Sequence, residues 1–240
     1  CSTDNFSVRP SSLTVTSTNA NADSAGSSAS ATPAIKAGAS FALTATSNVA
    51  GYNLAPVTDG AKMSAHSTSV RIGALSGSFN PADAATGVAT GSGFGYDEVG
   101  YFRWAAEGVY DAAFTAVDSA NSDCTNDFSN TTVLGKFGCK FGNTSATPYF
   151  GRFIPDNFLV TPGVVTPACS SIFTYFGQDG FTTAFTLTAR NSANVTTQNY
   201  QGSFARLVST SWNSYVFSTA SALPTGSVLS ASATAPTGTW

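Results

Sequence analysis

The sequence offers few side chains that could do chemistry. His66 is its single histidine and lies in a polar context, Lys-Met-Ser-Ala-His-Ser-Thr-Ser, typical of a loop or strand edge. A nucleophile with its general base needs a histidine or lysine close to a serine or cysteine, but the sequence contains no GxSxG, HExxH or phosphate-binding glycine motif. We therefore interpret His66 as a solvated histidine, and we predict no catalytic residues, no cofactor and no enzymatic activity.

The acidic residues could form two kinds of site. Paired carboxylates support glycoside hydrolysis, and one acidic group lies near aromatic residues: Asp97, Glu98, Glu107 and Asp111. Calcium takes about six to eight oxygen ligands, and a second group could gather around it: Asp111, Asp118, Asp123 and Asp127. The first group is scattered evenly along strand-like sequence, and the second lacks EF-hand-like or nonapeptide spacing. We interpret both groups as solvated and predict no metal site.

Four cysteines are present: Cys1, Cys124, Cys139 and Cys169. They show no CxxC spacing, and one histidine is too few to complete a zinc site, so oxidation in an extracellular compartment is the better interpretation. Cys124 and Cys139 enclose a Gly-, Asn-, Ser- and Thr-rich segment, and we predict a disulfide between them. Closing a loop of about 15 residues contributes about 3 kcal/mol in the chain-entropy model. For Cys1 and Cys169, the sequence leaves two pairings open: with each other, or with cysteines outside these 240 residues.

Composition narrows the class of protein. Only 10 residues are Lys or Arg, the formal net charge is -3, and no basic stripe could neutralise a run of phosphates, so we predict no nucleic-acid partner. No stretch approaches the roughly 18 apolar residues of a membrane helix, so we predict no membrane span. The 18 Phe and 8 Tyr, with many Gly and Asn, are typical of a β-rich extracellular protein.

An internal repeat decides the predicted fold. The motif DNFxVxP occurs at residues 4–10 and again at 156–162, and the motif FxLTA follows at 41–45 and 185–189. Alternation in the FxLTA segments predicts strands with one face on a core: Phe41, Leu43 and Ala45, then Phe185, Leu187 and Ala189. The DNFxVxP segments predict edge strands whose Phe and Val share one face. These are our candidates for assembly through a strand edge: Phe6, Val8, Phe158 and Val160.

The fold class that follows is all-β, with tandem immunoglobulin-like β-sandwich units related by the internal repeat. We place the first unit at residues 1–150, with a Ser-, Ala- and Thr-rich exposed loop at 17–33, and the second at 151–240. In the first unit, the aromatic segment 94–114 predicts two paired strands. Nothing in the second unit matches that segment, so we expect the second unit to be incomplete and to continue past Trp240.

Several runs of residues together resemble a known family. They are Cys1-Ser-Thr-Asp-Asn-Phe-Ser-Val-Arg-Pro10, Ala37-Gly-Ala-Ser-Phe-Ala-Leu-Thr-Ala45, Gly151-Arg-Phe-Ile-Pro-Asp-Asn-Phe158, Phe173-Thr-Tyr-Phe-Gly-Gln178 and Thr197-Gln-Asn-Tyr-Gln-Gly202. Over nearly the whole chain the sequence is similar to the C-terminal region of MshQ-like proteins, which are encoded with the mannose-sensitive haemagglutinin type IV pilus of Gram-negative bacteria. The resemblance implies a role in surface adhesion or pilus biogenesis and supplies no catalytic residues.

We therefore expect a structural or adhesive protein of the bacterial cell surface, secreted and either pilus-associated or filament-forming. The alternative is a carbohydrate-binding or glycan-processing module, in which exposed aromatic residues stack on sugars: Trp104, Trp212 and Tyr215. Expected partners are other copies of the chain, other pilus or surface proteins, or surface glycans. An incomplete second unit leaves a strand edge unpaired. We expect residues after Trp240 to cover it in a longer protein or, where the chain ends there, a neighbouring subunit to cover it by β-strand addition, with residues 4–10 or 11–35 as donors.

Overall fold

The computed structural model describes residues 8–20, 26–169, 172–175, 178 and 182–207. In these ranges the regular structure is strands, apart from short helical turns at Gly60–Lys62, Thr115–Ser119 and Gly202–Phe204, so the predicted all-β fold is confirmed. The strands are β1 (Leu13–Thr16), β2 (Ile35–Lys36), β3 (Ser40–Ser47), β4 (Val57–Thr58), β5 (Met63–Ala65), β6 (Leu75–Ser76), β7 (Val88–Tyr96), β8 (Gly100–Trp104), β9 (Val109–Asp111), β10 (Phe141–Gly142), β11 (Phe150–Ile154), β12 (Asn157–Thr166) and β13 (Thr182–Arg190).

Two four-stranded sheets form a sandwich. The first sheet has the order β1-β3-β7-β6, and the second has the order β2-β11-β8-β5. Neighbouring strands are antiparallel except β2 and β11, which are parallel. The inner faces touch through aromatic rings, since the ring of Phe41 lies 6.2 Å from that of Phe102 and 5.2 Å from that of Phe153. A third, small sheet with the order β10-β9-β4 extends the same core.

Strict alternation of buried and more exposed side chains is seen in β3, a central strand of the first sheet. Phe41, Leu43 and Ala45 of β3 are all buried, while the residues between them are partly exposed, as the sequence predicts. Successive side chains of a strand point to opposite faces, so all three lie on the core face. The pairing of β3 with β7 shifts register between Phe41 and Leu43. The second sheet contributes larger rings, and Phe102 of β8 packs against Phe41, Tyr96, Trp104, Phe150 and Phe153. Phe102 is therefore the centre of the core.

The aromatic segment 94–114 forms strands, but the predicted pairing between them is wrong. β8 pairs with β11 and β5, whereas β9 pairs with β10 and β4. Asn143 is the physical reason, because its side chain occupies the turn between β8 and β9. Its Oδ1 accepts the backbone N–H of Val109 at 2.8 Å, and its Nδ2 donates to the carbonyl of Ala105 at 2.8 Å. These bonds satisfy the turn backbone and direct β9 into the separate small sheet.

A two-stranded ribbon, β12–β13, follows the sandwich. Both FxLTA segments are strands, but their partners differ: Ala45 lies opposite Val15, whereas Ala189 lies opposite Phe158 of the second DNFxVxP motif. In the described residues, the first copy thus belongs to a sandwich and the second to a ribbon. β11 lies across position 150/151, where we place the boundary between the two units, and it belongs to the sandwich sheet. The tandem repeat and its boundary stay predictions.

The loop between Cys124 and Cys139 is closed by a disulfide between these two residues, whose Cα atoms are 5.2 Å apart. Its tip is a tight hairpin in which Val133 and Lys136 exchange two backbone hydrogen bonds of 2.8 and 3.1 Å. The two central residues have positive φ angles, 52° for Leu134 and 77° for Gly135, as a two-residue type I′ turn requires. The tip is apolar, and Leu134 is 95% exposed.

We predict that Phe102→Ala lowers the free energy of unfolding by about 3–5 kcal/mol, because it removes a ring buried among five others. The matched control Leu134→Ala truncates an exposed side chain and should change that free energy by less than about 0.5 kcal/mol. Urea unfolding followed by tryptophan fluorescence measures both. Equal effects of the two substitutions would contradict the assignment of Phe102 to the centre of the core.

Candidate functional site

A buried carboxylate holds the segment after the ribbon against the sandwich. Glu98 lies between β7 and β8 and is only 1% exposed. Its Oε1 accepts the backbone N–H of Val99 at 2.9 Å and that of Asn199 at 3.0 Å, and its Oε2 accepts the N–H of Gln198 at 2.9 Å. A carboxylate buried without such donors would cost several kcal/mol. We call this arrangement the Glu98 clamp.

Two buried asparagines extend the clamp. The Asn199 side chain accepts the backbone N–H of Arg71 at 2.9 Å and donates to the Arg71 carbonyl at 2.7 Å. The Asn191 amide donates to the carbonyl of Asp97 at 3.2 Å, while its oxygen accepts the N–H groups of Ala193 and Val195. Both side chains thus bond to backbone of the sandwich, a geometry that no acidic or apolar residue of similar size would reproduce.

The other carboxylates proposed for glycoside hydrolysis have separate structural contacts. Asp97 accepts the N–H of Ala74 at 2.7 Å. The buried Asp111 accepts the hydroxyl of Tyr52 and the N–H of Ala113, each at 2.6 Å. Burial, and then this hydrogen bond, raises the pKa of Tyr52 far above its usual range. Glu107 forms an exposed ion pair with Lys62 at 3.2 Å. Each group therefore stabilises a different turn or strand end.

His66 lies half-buried, not in the solvated position that the sequence indicates. Its backbone N–H donates to the carbonyl of Tyr101, and its Nδ1 accepts the N–H of Tyr101 at 3.3 Å. Its ring lies 4.5 Å from that of Phe204, in the segment after the clamp. A Cβ on Gly100 would collide with the imidazole, so glycine is required there for this close approach. Burial lowers the pKa of His66, although the Tyr101 hydrogen bond and the charge of Glu98 oppose the shift.

The outer face of the second sheet is covered by two chain segments. One is the loop at 26–33, where the Tyr101 hydroxyl donates to the carbonyl of Ser28 at 2.8 Å. Arg152 donates from Nε to the carbonyl of Ala31 and from Nη1 to that of Ala29, both at 2.8 Å. The other segment is 202–207, which the Glu98 clamp precedes. Part of the loop predicted to be exposed is therefore fixed to the sheet.

The predicted assembly residues lie in two places. Phe158 and Val160 are on one face of β12, where Phe158 packs against Tyr200 at 5.3 Å and Val160 is 54% exposed. Val8 is 70% exposed, and Phe6 lies outside the described residues. Among the aromatic residues considered for sugar stacking, Trp104 is wholly buried in the core, which corrects that expectation, and Trp212 and Tyr215 lie outside the described ranges.

The described residues bear on metal binding and on membrane crossing. No three His, Cys, Asp or Glu side chains there lie close enough to hold a metal ion. Asp127, one of the residues considered for calcium, accepts the N–H of Ser129 at 2.8 Å. In the same part of the chain, no helix is long and apolar enough to cross a membrane.

The comparisons with known proteins give one result. A family model described as DUF6701, third domain, matches residues 98–240, more than half of the chain. The chain belongs to the DUF6701 family. Neither the curated proteins nor the solved structures compared with the chain give a match.

The DUF6701 match begins at Glu98, inside the sandwich between β7 and β8. It contains both sides of the Glu98 clamp, since the bonded amides at 198 and 199 also lie in it. Sequence reasoning missed this clamp because a buried glutamate and an exposed one look the same in sequence. The run at 197–202, which also carries the resemblance, was the signal that pointed to this segment.

We predict that Glu98→Gln lowers the free energy of unfolding by roughly 1–3 kcal/mol, because the new NH₂ group cannot accept a backbone N–H and leaves a buried donor unsatisfied. The control Glu107→Gln breaks only an exposed ion pair and should cost no more than about 1 kcal/mol. Urea denaturation compares the two variants. A Glu98→Gln protein as stable as Glu107→Gln would show that the clamp contributes little.

We also predict an acid-sensitive stability due to His66. Its pKa in the folded chain lies below the ordinary value of 6.5, so below pH 6.5 the unfolded chain binds more protons than the folded chain, and acid lowers the free energy of unfolding. His66→Asn keeps a hydrogen-bond acceptor but does not titrate, so its unfolding free energy should fall less over the same pH range. Identical pH profiles of the two proteins, measured by thermal or urea unfolding, would contradict this role.

Proposed function

We propose that this chain is a structural or adhesive protein of the Gram-negative cell surface that assembles by adding a strand to β12. The observation that carries the proposal is the amphipathic ribbon. Cross-strand pairing places Phe158 opposite Ala189 and Val160 opposite Leu187, so apolar side chains share one face. Burial falls along the ribbon, from Ala189 at the base to the exposed Val160 and Phe185 further out. A sheet of two strands alone is marginally stable, and three or more strands with an apolar face are needed for independent stability.

The open edge of the ribbon belongs to β12. At the base, the outer edge of β13 is already occupied, since Thr197 donates its N–H to the carbonyl of Ala189. In the described residues, the ribbon has no strand beyond β12. An unpaired edge next to an apolar face is the template that β-strand addition uses. The occupant we propose is the part of the motif at residues 4–10 that precedes Arg9, supplied by a second copy, because Arg9 and Pro10 are held by their own chain.

Two considerations support this part of the motif as the donor. Of the other candidate, residues 11–35, the stretch Leu13–Thr16 is already paired as β1 with β3. Val8, by contrast, is 70% exposed and lies in the same motif as Phe158 and Val160. A donor from one copy and an acceptor on another form a head-to-tail contact, which builds an open filament instead of a closed dimer.

The setting we propose is extracellular and pilus-associated, as the resemblance to MshQ-like proteins implies, without catalysis. The Cys124–Cys139 disulfide is compatible with an oxidising compartment. The glycan-processing alternative needs two carboxylates beside a substrate-sized cleft. Glu98 and Asp111 are buried, and the cleft beside Glu107 has a volume of about 170 Å³, below the roughly 300–1,000 Å³ of most small-molecule sites.

We predict that the chain associates in a concentration-dependent way, and that Val160→Glu abolishes the association because it places a charge on the apolar face. Val133→Glu is the matched control, since Val133 is 48% exposed but lies on the disulfide loop. Deleting residues 1–8, which leaves the Arg9 hydrogen bonds to Ser129 and Asn130 in place, should also abolish association. Sedimentation velocity measures all four proteins.

Two outcomes would overturn the proposal. One is a wild-type chain that stays monomeric at every concentration tested, with the amide of Val160 protected from hydrogen exchange, because the face would then be covered within one chain. The other is association that Val133→Glu, and not Val160→Glu, removes.

A further inference from the structure

Two arginines from distant parts of the chain meet on the outer face of the second sheet. The Nη1 atom of Arg152, in β11, donates to the carbonyl oxygen of Ala29 at 2.8 Å. The Nη1 atom of Arg206, in the segment after the Glu98 clamp, donates to the same oxygen at 3.3 Å. Two guanidinium groups that share one acceptor lie side by side. Arg206 is exposed and Arg152 is half-buried, so solvent reaches the pair from one side.

No carboxylate balances these two charges within the described residues. The ion pairs found there are Lys36 with Asp156 and Lys62 with Glu107, and neither includes Arg152 or Arg206. A guanidinium carries five N–H donors. Arg152 uses one at Nε and one at Nη1, and Arg206 uses one, all on backbone carbonyls of the loop at 26–33. Within the part of the chain that the structure describes, most of the donors of the pair therefore have no acceptor and can bind a ligand.

From this geometry we propose that Arg152 and Arg206 form a binding site for an oxyanion, such as the sulfate, phosphate or carboxylate group of an acidic saccharide. Planar guanidinium groups bind such oxygens in a bidentate way, with charge-assisted hydrogen bonds. A bound oxyanion also offsets the repulsion between the two guanidinium groups. The peptide carbonyl of Ala29, which carries only a partial negative charge, offsets it less. The site requires no other cofactor and no reaction.

The fold fixes the Arg152 side chain and the chain segment that carries Arg206. Arg152 is fixed by two hydrogen bonds of 2.8 Å, to the carbonyls of Ala29 and Ala31, and the Tyr101 hydroxyl holds the same loop by donating to the carbonyl of Ser28. Arg206 follows Phe204, whose ring packs on His66 at 4.5 Å and on Tyr101 at 6.1 Å. Rigid placement reduces the entropy lost when a ligand binds.

The electrostatic environment of Arg152 favours the binding of a negatively charged group nearby. Burial lowers the pKa of the Arg152 guanidinium, and the positive charge of Arg206 lowers it further, while the Tyr101 phenol opposes the shift. The oxyanion site shares no residue with the strand edge of β12, so substitutions at Arg206 and at Val160 test anion binding and assembly separately.

Titration of the full chain with sodium sulfate and sodium phosphate, followed by the NMR signals of the arginine Nε–H groups, tests the site directly. We expect saturable shifts at Arg152 and Arg206. Dextran sulfate and polygalacturonate, compared with neutral dextran on an immobilised protein, distinguish a polymeric source from a free ion. Because polymers repeat the oxyanion, they should bind at least tenfold more tightly than the free ion, and neutral dextran should not bind.

Arg206→Gln should reduce binding at least fivefold, and it is the decisive variant because Arg206 is exposed and its loss leaves the Arg152 bonds intact. Arg152→Gln should have the same effect, provided that the variant protein folds. Arg71→Gln is the control, because Arg71 contacts Asn199 through its backbone only. Binding that Arg71→Gln and Arg206→Gln reduce equally is a nonspecific charge effect and overturns the proposal.

Asp23 precedes the loop in sequence and lies outside the described residues, so an Asp23→Asn protein completes the test. If the wild-type chain does not bind any of the anions but Asp23→Asn does, the charge pair is neutralised within the chain and the proposal is wrong. Equal binding by both proteins supports it.

Discussion

The hydrogen bonds of the Glu98 carboxylate to the backbone at residues 99, 198 and 199 are the interaction on which the rest of the arrangement depends. A buried carboxylate needs hydrogen-bond donors, and the backbone N–H groups of an irregular segment need hydrogen-bond acceptors. The carboxylate and these N–H groups satisfy each other's hydrogen-bonding capacity, so the segment after β13 is held in one position on the sandwich. Asn191 and Asn199 add bonds to the backbone of Asp97 and Arg71 and so restrict the same segment further.

Two features follow from that position. On one side, the clamp places Tyr200 under Phe158, so the base of the ribbon is covered while Val160 further out stays exposed. On the other side, it leads the chain across the outer face of the second sheet, where Phe204 meets His66 and Arg206 meets Ala29. The Glu98 clamp thus helps to position both the proposed strand-addition edge and the proposed oxyanion site.

The parts of the fold that could be predicted from the sequence are those with a periodic or local sequence pattern. The alternation in β3 predicts its buried face because burial follows the two-residue period of a strand. The Cys124–Cys139 loop is short, with turn-forming composition, so its closure is also predictable. The pairing of β8 and β9 was wrong, because a single side chain 34 residues away from Val109, Asn143, redirects the chain. Glu98, His66 and Arg152 were missed as contacts for the same reason: their partners come from distant segments, and no local pattern records them.

Hydrogen exchange of backbone amides in the wild-type chain tests the central claim most directly. If the Glu98 clamp fixes the segment after the ribbon, the amides of Gln198 and Asn199 exchange only when the sandwich opens, with protection comparable to that of the amides of β8. Rapid exchange at both positions, while β8 stays protected, would contradict the account.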